Sequence, residues 1–267
     1  MFQTKALLTG CTPLAPGYYQ MDILAPEIAQ AAKPGQFLQV RAAAAGSDDP
    51  VLARPLSIYR IRSNEGVVSF IFKVVGRGTR MLAAKRSGEL LEVMGPVGNG
   101  FAVPQDAGIA RVAFLAGGIG MPPLFCLAER WRARGSGYPQ STTIDLFYGG
   151  RSAADMLALE SWRELDCGVY CASDDGSAGY HGLVTELFQR EHRENNYDYC
   201  VACGPTPMLR AVQSLAVREG IPGQLSLEAF MACGVGACLG CVCQTGEGYR
   251  RVCVDGPVFA VGEVVLT

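Results

Sequence analysis

The sequence predicts a multidomain chain: a small antiparallel β-barrel over residues 1–104, an α/β unit with a parallel sheet over 105–222, and a short cysteine-rich segment over 223–267. Three observations carry this expectation. The first hundred of 267 residues break into short apolar or alternating runs between turn residues. From residue 109 onward, strand-like and helix-like stretches alternate with short joins. Five of the 11 cysteines then fall between residues 230 and 259.

Composition narrows the function. Hydrophobic residues make up 49% and charged ones 18%, which suits well-filled cores. A net charge of −2 argues against nucleic acid as the main partner. The opening "MFQTKALLTGCTPLAPGYYQ" lacks the apolar stretch of a signal peptide. No run of about 18 uncharged apolar residues occurs, so a cytoplasmic chain without a membrane span is expected.

In the barrel region, "LQVRA", "PLSIYRIR" and "VVSFIFKVV" read as strands, separated by "PGQ", "SNEG" and "GRGT". Two stretches there bear chemistry. In "RPLSIYR", Arg54 is a fork-shaped donor suited to a pyrophosphate, Pro55 fixes the backbone, and Ser57 offers a hydroxyl beside Leu56 and Ile58. In "IFKVVGRGTR", a strand holding Ile71, Phe72 and Lys73 runs into Gly76, Gly78 and Thr79. Amides of such a turn can cradle phosphate, above all where a helix begins. Taken singly, each stretch also reads as an ordinary turn. "GPVGNGF", residues 95–101, reads as the barrel's closing loop.

In the second region, "IARVAFLAGG", "TTIDLFYGG", "CGVYCAS" and "YDYCVACG" read as strands. "MPPLFCLAERWRAR", "SAADMLALESWREL", "HGLVTELFQREH" and "PTPMLRAVQSLAVREG" read as helices. Alternation with short joins implies parallel βαβ units, whose ligands bind beyond the C-terminal strand ends. "AGGIGMPPL" lies at one such end. Gly117, Gly118 and Gly120 allow a sharp turn, and Pro122 and Pro123 suit the first turn of a helix. The stretch departs from G-x-G-x-x-G, so that fingerprint lends no support. "CGPTPML", with Cys203, Gly204, Pro205 and Met208, ends a later strand. "SDDGSAGYHGLVT", residues 173–185, reads either as a solvated turn with an N-cap or as part of a nucleotide site. His181 and His192 show no partner in the sequence.

Cys233, Cys238 and Cys241 are spaced C-x4-C-x2-C, with Cys253 following after eleven residues. This is the plant-type 2Fe–2S spacing, whereas structural zinc favours two separated C-x2-C pairs. Gly234, Gly236, Ala237 and Gly240 let the backbone wrap a cluster closely. Cys243 is an alternative ligand, and Cys241 is preferred because it keeps the x2 spacing. Cys11, Cys126, Cys167, Cys171, Cys200 and Cys203 sit among apolar neighbours and read as buried free thiols.

In this order, the motifs resemble those of the ferredoxin–NADP reductase superfamily: R-x-x-S and G-x-x-T, then G-G-x-G-x-x-P ("GGIGMPP") and C-G-P-x-x-M. The resemblance implies FAD held by Arg54, Pro55, Leu56, Ser57, Ile71, Phe72, Lys73, Gly78 and Thr79. It implies NAD held by Gly117, Gly118, Gly120, Pro122, Cys203, Gly204, Pro205 and Met208, with Cys203 and Gly204 beside the nicotinamide. The choice of NAD over NADP rests on the resemblance, since Arg151 alone decides little.

"MACGVGACLGCVC" followed by "YRRVCVDGPVF" is similar to the electron-transfer subunits of NAD-dependent (type B) dihydroorotate dehydrogenase, over nearly the whole chain. Subunits of sulfhydrogenases and electron-bifurcating transhydrogenases share most of these motifs. One departure is the Ala-rich "RAAAAGSDDPVLARP" before Arg54. The resemblance implies a 2Fe–2S cluster on Cys233, Cys238, Cys241 and Cys253, and a catalytic partner subunit that carries FMN in a heterotetramer. About 45 residues after Pro222 are too few for an independent ferredoxin core, so an apolar rim around the cysteine loop is expected, covered by that partner.

Overall fold

The computed structural model describes residues 1–43, 47, 49–104 and 108–266. Part of the Ala-rich loop before Arg54 and the link at 105–107 lie outside the described residues. Six strands form the first unit: β1 (Phe2–Ala15), β2 (Tyr18–Leu24), β3 (Phe37–Val40), β4 (Arg54–Arg62), β5 (Val67–Lys73) and β6 (Leu90–Val97). They close an antiparallel barrel in the order β1-β2-β5-β4-β3-β6, which leaves no open edge. Two short helices, α1 (Pro26–Ala31) and α2 (Arg77–Ala83), cover parts of its surface. Alternation of side chains sets the inside. Leu38, Val40, Leu56, Ile58, Phe70 and Phe72 fill the barrel, while Phe37 faces out into a core shared with the C-terminal segment.

The second unit contains β7 (Arg111–Gly117), α3 (Met121–Arg132), β8 (Thr143–Gly150), α4 (Leu159–Glu164), β9 (Gly168–Ser173), β10 (Tyr180–His181), α5 (Val184–Asn195), β11 (Tyr199–Cys203) and α6 (Thr206–Glu219). The chain then continues through β12 (Gly223–Ser226), the hairpin β13 (Val242–Thr245) and β14 (Gly248–Arg251), and β15 (Val258–Ala260). One seven-stranded sheet runs β10-β9-β8-β7-β11-β12-β15, parallel except where β15 returns antiparallel to β12.

The sheet therefore does not stop at residue 222. Both β12 and β15 lie within the stretch expected to form a separate cysteine segment. The reason is burial: Leu225, Leu227, Phe259 and Val261 share a core with Leu209, Val212 and Leu215 of α6. Within residues 223–267, β13 pairs with β14 as a separate hairpin, while the β12–β15 pair forms the edge of the large sheet through β11.

Two further expectations need correction. "SAADMLALESWREL" is not one helix, because only Leu159–Glu164 is α-helical and Ala158 before it is left-handed, with φ 54°. Gly95–Val97 of "GPVGNGF" belong to β6, so the closing loop is shorter than expected. Cys11 and Cys171 are half-buried, whereas the other four scattered cysteines are buried as expected.

The barrel and sheet share apolar packing. Tyr18, Tyr59 and Ile71 of the barrel join Phe114, Met121, Leu124 and Phe125 in one cluster. The Tyr59 and Phe125 rings lie 4.9 Å apart, and the Arg60 guanidinium sits 4.9 Å from the Phe125 ring centre. Cation–π contacts of this kind are strengthened by partial desolvation. No helix among the described residues is long and apolar enough to cross a membrane.

Candidate functional site

Three loop clusters meet around the barrel's outer face and the C-terminal ends of the sheet. The first is the expected flavin seat. Arg54 begins β4, and its guanidinium lies against Gly78 at the start of α2. A Cβ on Gly78 would fall 2.6 Å from Arg54 Nε, so the two motifs touch here and a larger residue would push the guanidinium from its present position. Arg54 Nη1 donates to the Leu52 carbonyl at 2.7 Å, which holds the fork in place. Pro55 and Ser57 lie opposite Gln39 and Phe37 on β3.

Not every expected flavin residue presents a side chain. Leu56 and Phe72 are buried in the barrel core. Ile71 packs in the barrel–sheet cluster. The Thr79 hydroxyl is occupied by its own turn, accepting from the Val75 and Gly76 amides at 3.0 and 3.1 Å. Lys73 Nζ is 3.0 Å from Asp155 Oδ1 and 4.6 Å from the Tyr18 ring centre. The Tyr18 hydroxyl donates to the same carboxylate oxygen at 2.5 Å. Burial opposes ionisation of Asp155, but these two partners outweigh it and hold the carboxyl below its usual value. This tie between barrel and sheet had no signal in the sequence, since its members lie 82 and 137 positions apart.

The second cluster is the expected nucleotide site. In the sheet order, β7 is flanked by β8 on one side and β11 on the other, so the strand order reverses between β7 and β11. The crevice at such a switch point is the usual ligand site in open α/β sheets. Both glycine-bearing loops lie there in direct contact. A Cβ on Gly117 would meet Met208 Sδ at 2.5 Å, and one on Gly120 would meet the Cys203 carbonyl oxygen at 2.2 Å. Gly118 has φ +51° and nothing within 4 Å of a Cβ position, leaving bare backbone beside open space. α3 starts immediately afterwards, with Pro122 and Pro123 in its first turn, where no N–H is missed. Cys203 is buried, and burial pushes its thiol well up, so it acts as a neutral surface rather than a thiolate.

At the ends of β8 and β9, the Asp174 amide donates to the Gly150 carbonyl and the Asp175 amide to the Arg151 carbonyl. The "SDDGSAG" stretch is thus tied to the strand end bearing Arg151. His192 accepts the Tyr197 amide at 3.1 Å and serves the end of α5.

The third cluster is the cysteine loop. Cys233 Sγ accepts the amides of Val235 and Cys238, each at 3.4 Å, and Cys238 Sγ accepts the Gly240 amide at 3.5 Å. These amides hold the Cys233 thiol down at about 6. Left-handed glycines make the wrap possible: Gly234 has φ +69° and Gly236 has φ +78°. Cys241 and Cys253 are buried. Burial, then the adjoining Cys241 thiol, pushes Cys253 up to about 12, so only a bound metal would strip its proton near neutrality.

Cys233 interacts most directly with Cys238 and Cys253 with Cys241, and the Cys233 sulfur also bears on Cys253. Among the described residues no three metal-ligating side chains gather as a single-ion site. Two pairs suit two bridged irons, each of which takes two thiolates. Cys243 lies in β13 opposite Arg250 in the hairpin ladder.

The turn carrying Cys253 is locked by residues the sequence reading had not singled out. Arg251 forms a two-pronged pair with Asp255, at 3.0 and 3.2 Å, and the Arg251 carbonyl accepts three successive amides from Val254 to Gly256. Asn99 Nδ2 donates to the Val254 and Asp255 carbonyls at 3.1 Å, tying the barrel exit to this turn. The i, i+4 spacing of Arg251 and Asp255 was the available signal. Around the loop, Phe230 (97%), Tyr249 (76%) and Leu239 (60%) are exposed, with Val235 and Val242 beside them. This is the expected apolar rim.

A barrel with an arginine-backed phosphate turn, a parallel sheet with a glycine-lined switch point, and a paired-thiol loop define a flavin- and nicotinamide-linked oxidoreductase of the ferredoxin reductase type, with an added iron–sulfur segment. Comparison with known proteins agrees. Residues 114–214 match the oxidoreductase NAD-binding domain, and 228–265 match the iron-sulfur cluster binding domain of dihydroorotate dehydrogenase B. The structure is similar to one solved for an NADH-dependent reduced ferredoxin-NADP oxidoreductase, in work on flavin-based electron bifurcation. That match has TM-score 0.85 and 28% identity, covering 98% of this chain and 90% of that one. A cytochrome b5 reductase domain of Ulva prolifera nitrate reductase shares the fold, with TM-score 0.65 and 18% identity over 82% of this chain and 94% of that one.

The chain is 35% identical to the dihydroorotate dehydrogenase B (NAD(+)) electron transfer subunit of Desulforamulus reducens, over 94% of both chains. It is 39% identical to that of Geobacillus kaustophilus, over 93% of both. It belongs to this family of electron transfer subunits.

Proposed function

We propose that this chain passes electrons from the FMN of a dihydroorotate-oxidising partner, through a 2Fe–2S cluster and FAD, to NAD+, in a cytoplasmic heterotetramer of the pyrimidine pathway. The observation that carries this reading is the seating of the cysteine loop on the strands beside the flavin motif. Gly234 abuts Gln39 and Met94, and Phe37 packs in the core that includes Cys241 and Cys253.

When bound, the flavin supplies the conversion between two-electron hydride exchange with NAD+ and one-electron exchange with the cluster, which no side chain here can perform. The chain's residues bind, orient and shield. Arg54 and the α2 turn at Gly78 would hold the flavin's pyrophosphate, with Pro55 and Ser57 bordering its ring. Gly117, Gly118, Gly120 and Pro122 would receive the nucleotide phosphates, and Cys203, Gly204, Pro205 and Met208 would line the nicotinamide. Cys233, Cys238, Cys241 and Cys253 would hold the cluster, with backbone amides donating to the Cys233 and Cys238 sulfurs.

The apolar rim of Phe230, Leu239 and Tyr249 fits burial against the catalytic partner, because so small a loop cannot shield a cluster alone. The structural likeness to a bifurcating oxidoreductase keeps a second redox partner in view. Co-expression decides. With a dihydroorotate-oxidising FMN subunit, the complex reduces NAD+ when given dihydroorotate. A chain that oxidises NADH with dyes yet never supports that reaction belongs to another partner.

A further inference from the structure

Gln39 is a buried amide at the junction of barrel and cysteine loop, and packing alone does not account for it. Its residue is 3% exposed, and its neighbours in β3, Leu38 and Val40, are apolar residues of the barrel core. On the opposite face, Gln39 lies across from Pro55 of the flavin motif on one side and Met94 on the other. Its side chain reaches the cysteine loop. A Cβ on Gly234 would fall 2.8 Å from Gln39 Cγ and 2.9 Å from Nε2. Nε2 donates only a long, weak bond, 3.9 Å, to Met231 Sδ, and Oε1 has no hydrogen-bond partner although fully buried.

An isosteric methionine would fill this space without stranding a carbonyl, so the amide is present at a cost. Its orientation follows from the network. A thioether sulfur accepts and cannot donate, so the NH2 end, not the carbonyl, faces Met231 and the loop. The positive end of the amide dipole therefore points at the stretch holding Cys233, between Met231 and Gly234.

We propose that Gln39 is a positioning residue for electron transfer, which seats the cysteine loop on the flavin-bearing strands and, through its NH2 group, favours the reduced, more negative cluster. Hydrogen-bond donors and dipoles near cluster sulfurs are a principal control of their potential. This rests on the 2Fe–2S reading above.

The test is an EPR-monitored redox titration of the full chain in complex with its partner subunit, with iron, sulfide and flavin counted in the same samples. Gln39→Met keeps the volume and removes the dipole. The expected result is full cofactor content and a cluster reduction constant lowered by about tenfold, equivalent to ~59 mV for one electron. Gln39→Glu keeps the shape and replaces the donor by an oxygen, and it should lower the constant at least as far. Unchanged potentials in both fully loaded variants overturn the proposal. Loss of the cluster from both also overturns it, in favour of a purely structural anchor. If one variant sheds iron, the other decides by its potential. A wild-type chain lacking any 2Fe–2S signal refutes the cluster reading instead.

Discussion

Replacing Gly120 by alanine perturbs the nucleotide site at its tightest point. The added Cβ would lie 2.2 Å from the Cys203 carbonyl oxygen and 2.7 Å from the Gly204 nitrogen, both backbone atoms. No side chain can swing away, so the loops after β7 and β11 must part by about 1 Å. Overpacking of this kind costs about 1–3 kcal/mol. Felt wholly in nucleotide binding, that is roughly a 5- to 150-fold weaker affinity. Displacement of the nicotinamide by about 1 Å would slow hydride transfer by up to ~100-fold as well.

Gly118→Ala is the control. It introduces no contact within 4 Å but leaves a left-handed alanine at φ +51°, costing about 1–2 kcal/mol of local strain. Stopped-flow reduction of the bound flavin by increasing NADH separates affinity from rate, and thermal unfolding reports stability. The expected order is a large loss of both affinity and rate for Gly120→Ala, and a smaller change for Gly118→Ala. If Gly120→Ala binds NADH within twofold of wild type at equal stability, the loops are not rigidly apposed and the site description is wrong.

Three other outcomes are expected. Cys253→Ser should strip iron and sulfide while FAD remains, and Cys243→Ser should keep the full complement, both measured by metal and flavin analysis. Asp155→Asn should cost about 1–3 kcal/mol at neutral pH by removing one partner of a largely buried network. Because its folded value is depressed, that contribution is fully present above the ordinary carboxyl range. It is lost as pH falls through the lowered value, so melting curves of variant and wild type should converge only in acid. Asp255→Ala should free Arg251 and loosen the Cys253 turn, seen as faster iron loss to a chelator with unchanged nucleotide affinity.

Much of the architecture was legible because it is written in local periods. The alternation in "VVSFIFKVV" and the strand–helix rhythm after residue 109 reflect side chains repeating on one face, and the folded chain keeps them. The iron–sulfur segment was legible because its cysteine spacing is itself local. What escaped depends on contacts distant in sequence. That β12 and β15 complete the nucleotide sheet follows from Leu225 and Phe259 packing on α6, which no local pattern records. The break at Ala158 overrides good helix propensity through tertiary packing of Met156 and Leu157. The Thr79 hydroxyl bonds within its own turn, and Lys73 pairs with Asp155 because the sheet brings that carboxylate to the barrel, a contact that no local pattern records.

The most direct test counts iron and acid-labile sulfide in anaerobically purified chain, beside an EPR spectrum of the reduced protein. The account predicts two irons and two sulfides for each FAD, lost together when Cys233, Cys238, Cys241 or Cys253 is replaced. One zinc per chain without sulfide, or disulfides among these four cysteines in freshly isolated protein, would contradict it.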